Sequence, residues 1–281
     1  MKKISVNKIF FKIIVFILLI VISLFCIGPL IWMIRSSIMT SKEIFTLPPL
    51  LLPAIPQWNN YIELFKVLPF ARYFINTLII VSINVVGALI SNTIIAYAFA
   101  KINFKGKTIM YGMCLATLML PQTVTLIPLF IEWKYLGGIN TYAPLTVLSF
   151  FGNAFYIFLL NQFFKMIPIE YNEAAFIDGA NHFQILRNII VPISKPALAV
   201  VAIFTFMTSW NDFMGPFLYL YDQNKYTLTL GMKYLISGYS VFGQWQILMA
   251  ASVLIVLPVA LLFFFMQRYF ITGLTMGGLK G

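Results

Sequence analysis

The stretch "EYNEAAFIDGANHFQILRNIIVP", which runs from Glu170 to Pro192, separates two long blocks of apolar sequence. It contains Glu173 and Asp178, in a chain with only eight acidic residues, and also His182, the single histidine. Charged and hydrogen-bonding residues of this kind are disfavoured in a hydrocarbon layer, because unpaired polar groups there cost free energy. The stretch therefore predicts a segment outside the membrane, with spans before it and after it.

The composition indicates a multi-pass membrane protein. Of the 281 residues, 61% are hydrophobic and 10% are charged, whereas a soluble domain has about 25% charged residues. The net charge of +11 could favour nucleic acid, but basic residues also hold cytoplasmic loops in place, and no basic cluster here alternates with polar aromatic residues. We therefore expect membrane lipid around the chain and no nucleic-acid partner.

Six segments are long and apolar enough to cross the bilayer, since a helical span needs about 20 mainly apolar residues. They lie at about 10–34, 74–100, 108–131, 141–164, 196–220 and 246–267. Cytoplasmic loops are enriched in lysine and arginine, and the N-terminal tail and the loop 101–107 are basic without any acid. The pattern predicts an all-α membrane protein with one transmembrane domain, 1–281, both termini in the cytoplasm, and a cytoplasmic loop at 165–195.

Three prolines, Pro121, Pro128 and Pro258, lie within the predicted spans 108–131 and 246–267. Proline removes a backbone hydrogen bond and permits kinking or unwinding of a helix. An ordinary kinked helix and a span that bends during gating are both consistent with this pattern.

The sequence lacks motifs of catalysis and of cofactor binding. Gly106-Lys107 has no upstream glycine for a phosphate-binding loop, and His182 has no partner at metal-ligand spacing. We therefore expect no enzymatic activity, no metal site and no cofactor bound by this chain. Glu132 and Asp212 lie near span ends, so the mid-membrane carboxylates of a proton relay are not evident; an ion-coupled secondary transporter of a neutral polar solute is the alternative function.

The polar residues inside the predicted spans are mostly neutral. Such side chains form hydrogen bonds between helices, which stabilise by roughly 0.6–2 kcal/mol each. They would also suit a path for an uncharged, hydroxyl-rich solute. The candidates for such a path are Asn84, Gln122, Thr123, Ser209 and Asn211.

The polar stretch divides into two helical halves. We expect Asn172 to cap a helix that begins at Glu173, and Gly179 to end it, since glycine weakens a helix and permits a turn. The residues that share one side of the first half are Tyr171, Ala174, Ala175 and Asp178. The second half is amphipathic, which fits a hairpin lying on the membrane surface. The small residues and acids of the first half instead favour docking in a groove of another protein.

The same residues resemble the EAA motif of ABC importer permeases, written E-A-A-x3-G-x9-I-x-L-P. The matching positions are Glu173, Ala174, Ala175, Gly179, Ile189 and Pro192, with Val191 in place of the usual leucine. The stretches "MLPQTVTLIPLF" (119–130), "TSWNDFMGPFLYL" (208–220) and "QRYFITGLTMGGLKG" (267–281) are similar to the carbohydrate-type subgroup. The likeness covers nearly the full chain and is closest to the shorter, six-span subunit of a maltose-type permease pair.

The resemblance implies a type I ABC importer permease fold in a bacterial cytoplasmic membrane, and import of a sugar or oligosaccharide. The implied partners are a second permease subunit in a heterodimer, an ATPase dimer that binds ATP and magnesium, and an extracytoplasmic sugar-binding protein. In this family the motif forms a coupling helix held in a cleft of the ATPase, where Glu173 pairs with a basic residue. The tail from Gly273 to Gly281 is implied to reach the ATPase as well. The implied coupling residues are Tyr171, Glu173, Ala174, Ala175, Asp178, Gly179, Ala180, Phe183, Arg187 and Pro192.

Overall fold

A computed structural model describes residues 6–239 and 244–277 of the chain. Throughout these two ranges the regular structure is helical, with no strand, which confirms the expected all-α class. The helices are α1 (Val6–Ser37), α2 (Ser41–Ile44), α3 (Asn59–Val67), α4 (Phe70–Lys101), α5 (Lys107–Ala116), α6 (Gln122–Tyr135), α7 (Ala143–Thr146), α8 (Ala154–Met166), α9 (Glu170–Ile177), α10 (His182–Ile185), α11 (Val191–Ile193), α12 (Lys195–Trp210), α13 (Met214–Tyr219), α14 (Leu228–Tyr239) and α15 (Trp245–Gly277).

Four helical segments are long and apolar enough to cross a membrane by themselves. They are Phe11–Ser37, Phe70–Lys101, Ala143–Met166 and Trp245–Gln267. Two further candidates are pairs of helices that bend sharply at a break, by 102° between Lys107–Met119 and Thr123–Tyr135 and by 82° between His182–Ile193 and Lys195–Trp210. The structure therefore gives four to six candidate spans in the described residues, where the sequence predicted six.

The predicted third span is interrupted at Pro121. The chain is extended there, with ψ of 116° at Leu120 and 136° at Pro121, and α6 begins only at Gln122. Proline disfavours the helical conformation of the residue before it and cannot donate a backbone hydrogen bond. Pro128 and Pro258, by contrast, lie inside continuous helices. The segment 108–131 is thus not one continuous helix.

The predicted fifth span is shorter than expected. Its helix α12 ends at Trp210, and the chain re-forms a helix only at Met214. The Asp212 carboxylate accepts the backbone N–H of Gly215 at 3.0 Å, and such local side-chain bonds compete with helix continuation. The segment 196–220 is therefore split into α12 and α13.

By density of contacts the chain divides into two compact units, Met1–Phe70 with Met232–Pro258 and Ala71–Gly231 with Val259–Gly281. The second unit contains the polar stretch described above. Its core lies where α4, α8 and α12 meet the helices α9 to α11. The fully or nearly buried members of this core are Ala96, Tyr97, Tyr156, Leu160, Phe164, Ile167, Ala175, Ile185, Leu186, Ile190, Ala197 and Val201.

Helix α4 packs closely against the segment that follows α7 at Gly87. A methyl group added there would collide with the Ser149 hydroxyl and lie 2.9 Å from the Phe150 ring. Overpacking of this kind costs about 1–3 kcal/mol. We expect Gly87→Ala to lower the midpoint of thermal unfolding in detergent by several degrees.

The matched control is Gly112→Ala in α5, where the added methyl group meets no atom within 4 Å. Alanine favours a helix over glycine by about 1 kcal/mol, so this variant should be at least as stable as the parent. Equal midpoints for the two variants would contradict close packing at Gly87.

Candidate functional site

The first helix of the candidate site, α9, begins at Glu170, one turn earlier than expected. Ile169 occupies the cap position without a side-chain hydrogen bond, and its carbonyl accepts the N–H of Asn172 and of Glu173 at 2.9 and 3.1 Å. The prediction that Asn172 caps the helix is therefore wrong. Asn172 lies inside α9 with 2% exposure, and its Oδ1 has no hydrogen-bond partner among the described residues. Glu170 and Glu173 place negative charge near the helix N-terminus, where the helix dipole favours it.

Helix α9 ends at Ile177, just before the glycine that the sequence singled out. Gly179 has φ of 81°, a conformation that residues with a Cβ rarely adopt. Its N–H donates to Phe176 O at 3.0 Å, and the N–H of Ala180 donates to Ala175 O at 2.9 Å. These two bonds form a Schellman motif, which satisfies carbonyls at a helix end and reverses the chain.

The second half starts directly after this turn. The Asn181 side chain accepts the N–H of Gln184 at 2.9 Å, and the Gln184 side chain accepts the N–H of Asn181 at 2.8 Å. This capping box fixes the start of α10. A π-helical turn, Leu186–Ile190, joins α10 to α11. The halves are therefore held in a defined helix–turn–helix, Glu170–Ile193, which we call the coupling hairpin.

One side of the coupling hairpin packs into the core of the chain itself. Ala175, Ile185, Leu186 and Ile190 are at most 7% exposed and belong to the core around α4, α8 and α12. The expectation that both alanines face a partner is therefore incorrect for Ala175, which lies against this core. Its small side chain allows α9 to approach the spans closely.

The opposite side of the hairpin is exposed and mixes acids with large apolar side chains. Ile177 is 87% exposed and Phe183 66%. Among the predicted coupling residues, the other exposed ones are Tyr171, Glu173, Ala174, Asp178, Gly179, Arg187 and Pro192, while Ala180 is half-buried. The sequence analysis did not include Ile177 among the coupling residues, although its position next to Asp178 could have indicated that it is exposed. Exposed apolar groups beside carboxylates suit a protein interface.

One contact joins the hairpin to α4, and a second joins α4 to the loop before α9. The Lys101 ammonium donates to Ile167 O at 2.6 Å, and the Tyr97 hydroxyl lies 3.2 Å from His182 Nδ1. The His182 ring also packs edge-on against Phe176, with ring centroids 4.9 Å apart. His182 thus links both halves of the hairpin to a candidate span. Its spacing in the sequence gave no sign of this contact.

The path candidates are brought together only in part. Asn84 donates to Leu145 O and to the Ser209 hydroxyl, both at 3.0 Å, so it bridges α4, α7 and α12. Asn211 donates to Met207 O within its own chain segment at 2.8 Å and is exposed, as is Thr123. The structure does not describe the side chain of Gln122. Asn84 and Ser209 thus form the interhelical bond that was one of their two expected roles.

Comparison with known proteins identifies the chain. Residues 91–275 match the family described as "Binding-protein-dependent transport system inner membrane component". The chain belongs to this family. The resemblance to ABC importer permeases is therefore confirmed, and so is the expected location in the cytoplasmic membrane. The matched range includes the whole coupling hairpin.

Relatives match along most of their length. The chain is 33% identical to the diacetylchitobiose uptake system permease protein of Streptomyces coelicolor, over 89% of this chain and 83% of that protein. It is 32% identical to an arabinooligosaccharides transport system permease protein of Halalkalibacterium halodurans, over 92% and 93%. A crystal structure of a bacterial ABC transporter involved in the import of alginate, an acidic polysaccharide, aligns with a TM-score of 0.85 at 25% identity, covering 96% of this chain and all of that one. This family of permeases consists of membrane subunits without enzymatic activity, and no comparison favours an ion-coupled transporter.

Proposed function

We propose that the chain is one of two permease subunits of a binding-protein-dependent ABC importer that carries a sugar or oligosaccharide into the cell. Relatives named for diacetylchitobiose and arabinooligosaccharides support the solute class. The proposed assembly is a heterodimer with a second permease, an ATPase dimer that binds ATP and magnesium, and an extracytoplasmic sugar-binding protein. In it, the chain has six spans, if each bent pair counts as one, with both termini in the cytoplasm.

The observation that carries the proposal is the two-sided coupling hairpin. One side is locked into the spans through Ala175, Ile185 and Ile190, and the other exposes Glu173, Ile177 and Phe183. A segment that is rigidly joined to the spans and free on its other side can transmit the motion of a docked partner. The capping box and the Schellman turn stiffen it, so movement is passed on rather than absorbed by the hairpin.

The hairpin gives a direct route for alternating access. Closure of the ATPase dimer around ATP would move the docked surface that includes Tyr171, Glu173 and Ala174. Helix α12 follows the hairpin across the 82° bend at Ser194. Helix α4 contacts the hairpin through Tyr97 and the loop before it through Lys101. Rigid elements that pivot about a break in this way are a common means of switching between two states. The ATPase would supply the chemistry, and this chain would supply the moving path.

A test of the proposal is sugar uptake by cells that produce this chain together with the products of the neighbouring transporter genes. We expect uptake of at least one labelled compound from a panel of neutral and acidic di- and oligosaccharides. Uptake should be lost when the catalytic glutamate of the ATPase is replaced and should persist when the proton gradient is collapsed at constant ATP. Uptake that follows the proton gradient and ignores the ATPase would instead establish the ion-coupled alternative.

A further inference from the structure

The loop between α2 and α3 carries an unusual surface. Its sequence "FTLPPLLLPAIPQW" spans 45–58, and no charged residue occurs from Ile44 to Ile62. Six of its large apolar side chains are 62–86% exposed: Phe45, Leu47, Leu51, Leu52, Ile55 and Trp58. We call this segment the apolar loop. So much exposed apolar surface marks a contact with another apolar phase.

Polar contacts tie the second half of the apolar loop to α2 and to the end of α1. The N–H of Gln57 donates to Ile38 O at 2.8 Å, and the N–H of Ala54 donates to the Glu43 carboxylate at 3.0 Å. Glu43 also accepts the N–H of Thr40 at 2.9 Å, and these backbone donors, Thr40 first, hold the pKa of Glu43 below its usual range. The loop is thus held by polar contacts of its backbone, while its large apolar side chains remain exposed.

The ends of two candidate spans indicate the depth in the bilayer at which the apolar loop lies. The span Phe11–Ser37 has 27 residues and a length of about 40 Å, which exceeds a hydrocarbon layer of about 30 Å. Near its end, the Trp32 ring is 46% exposed, and exposed tryptophan is typical of the headgroup region. At the start of another span, the Trp245 ring packs edge-on against Phe45 at 6.0 Å. The loop therefore begins and ends at headgroup level.

The backbone of the apolar loop has few N–H donors, which lowers the cost of placing it near lipid. Irregular backbone is costly near lipid because its N–H groups lack partners. Four residues of the loop are prolines, Pro48, Pro49, Pro53 and Pro56, which have no N–H group. Their presence removes donors that would otherwise need water or a protein acceptor.

We propose that the apolar loop lies in the boundary between lipid headgroups and acyl chains, as an interfacial anchor on the membrane face where α1 ends. The occupant of its exposed face is lipid, because the loop is tied beside the end of α1, whose apolar side chains are likewise exposed, and because it lacks charge for a soluble partner. Interfaces that must release a soluble partner are more polar than this. The inference rests on the membrane location of the chain and is independent of the transported solute.

Depth-dependent quenching tests the anchor. Single cysteines replace Leu47, Leu51 and Ile55 in turn, with Cys26→Ala and Cys114→Ala as background, and carry an environment-sensitive fluorophore. The full-length chain is reconstituted into nanodiscs with the subunits that copurify with it, and quenching by brominated phosphatidylcholine and by aqueous iodide is compared. Lys66→Cys, at an exposed charged position in α3, is the matched control.

We expect bromolipid to quench the loop labels about twofold or more, because interfacial side chains lie about 5–10 Å inside the boundary, and iodide to quench chiefly the Lys66→Cys label. Strong iodide quenching of all three loop labels would overturn the proposal in favour of a loop in water. Labels protected from both quenchers would overturn it in favour of cover by another protein chain. Three loop positions are measured so that poor insertion of one variant leaves the comparison intact.

Discussion

Gly179→Pro is expected to reduce sugar uptake to background while the chain still inserts into the membrane. The Gly179 φ of 81° is inaccessible to proline, which is fixed near −65°. Proline also removes the N–H that bonds to Phe176 O at 3.0 Å. The Schellman turn is lost, so α9 and α10 no longer present one surface to a partner. Uptake, yield in the membrane fraction and copurification of the ATPase are measured together.

Two alanine variants, Gly179→Ala and Gly106→Ala, distinguish loss of the turn at Gly179 from the general effect of backbone strain on uptake. Gly179 and Gly106 share the same φ of 81°, and a methyl group at either position meets no atom within 4 Å. Alanine in this conformation costs roughly 1–2 kcal/mol at each site. We expect Gly179→Ala to lower uptake about 5- to 30-fold, the factor that this energy corresponds to, and Gly106→Ala to leave uptake near that of the parent. Equal loss in both variants, or normal uptake in Gly179→Pro, would contradict the coupling role of the hairpin.

The turn at Gly179 could be predicted because a single residue type determines it. Glycine adopts the left-handed backbone of such a helix end at lower cost than other residues, so its position in the motif was sufficient. The face of α9 could not be predicted in the same way. Helical periodicity places Ala174 and Ala175 on one side, but only the packing of α9 on the spans decides that Ala175 is buried and Ile177 exposed.

The positions at which helices break within the predicted spans also could not be predicted from local sequence alone. Pro121 and Pro128 both lie in the predicted third span, yet the helix is interrupted at Pro121 and continues through Pro128. A membrane helix tolerates proline where neighbouring groups satisfy the freed carbonyl, and those neighbours belong to the tertiary structure. The start of α9 could not be predicted for the same reason. Asparagine is a suitable cap residue, but Asn172 lies inside the helix because α9 already begins at Glu170. Local sequence gave candidates for each boundary, and packing selected among them.

Glu173→Gln is expected to weaken ATPase binding about tenfold to a hundredfold, since a hydrogen bond to a charged group contributes about 1.5–3 kcal/mol. The substitution keeps the shape of the side chain and replaces the carboxylate by a neutral amide, which has one acceptor oxygen and one donor group. Sugar uptake should fall with the loss of binding, and affinity is measured by titrating the purified ATPase onto the reconstituted permease. Glu170→Gln is the matched control, because Glu170 lies in the same first turn of α9 but its charge acts on Lys101 of the same chain. Equal effects of the two variants would argue against a specific partner for Glu173.

The salt dependence of binding then distinguishes the role of Glu173 from that of Ile177. An exposed ion pair contributes only about 0–1 kcal/mol and is screened by salt, so Glu173 can anchor the hairpin only if docking desolvates it. Burial of a side chain such as Ile177, now 87% exposed, contributes about 1.5–3 kcal/mol that salt hardly changes. Ile177→Ala should therefore lower ATPase affinity at every ionic strength, whereas Glu173→Gln should flatten the salt dependence. If both substitutions leave that dependence unchanged, Glu173 has no charged partner in the complex, and apolar contact alone holds the hairpin in its cleft.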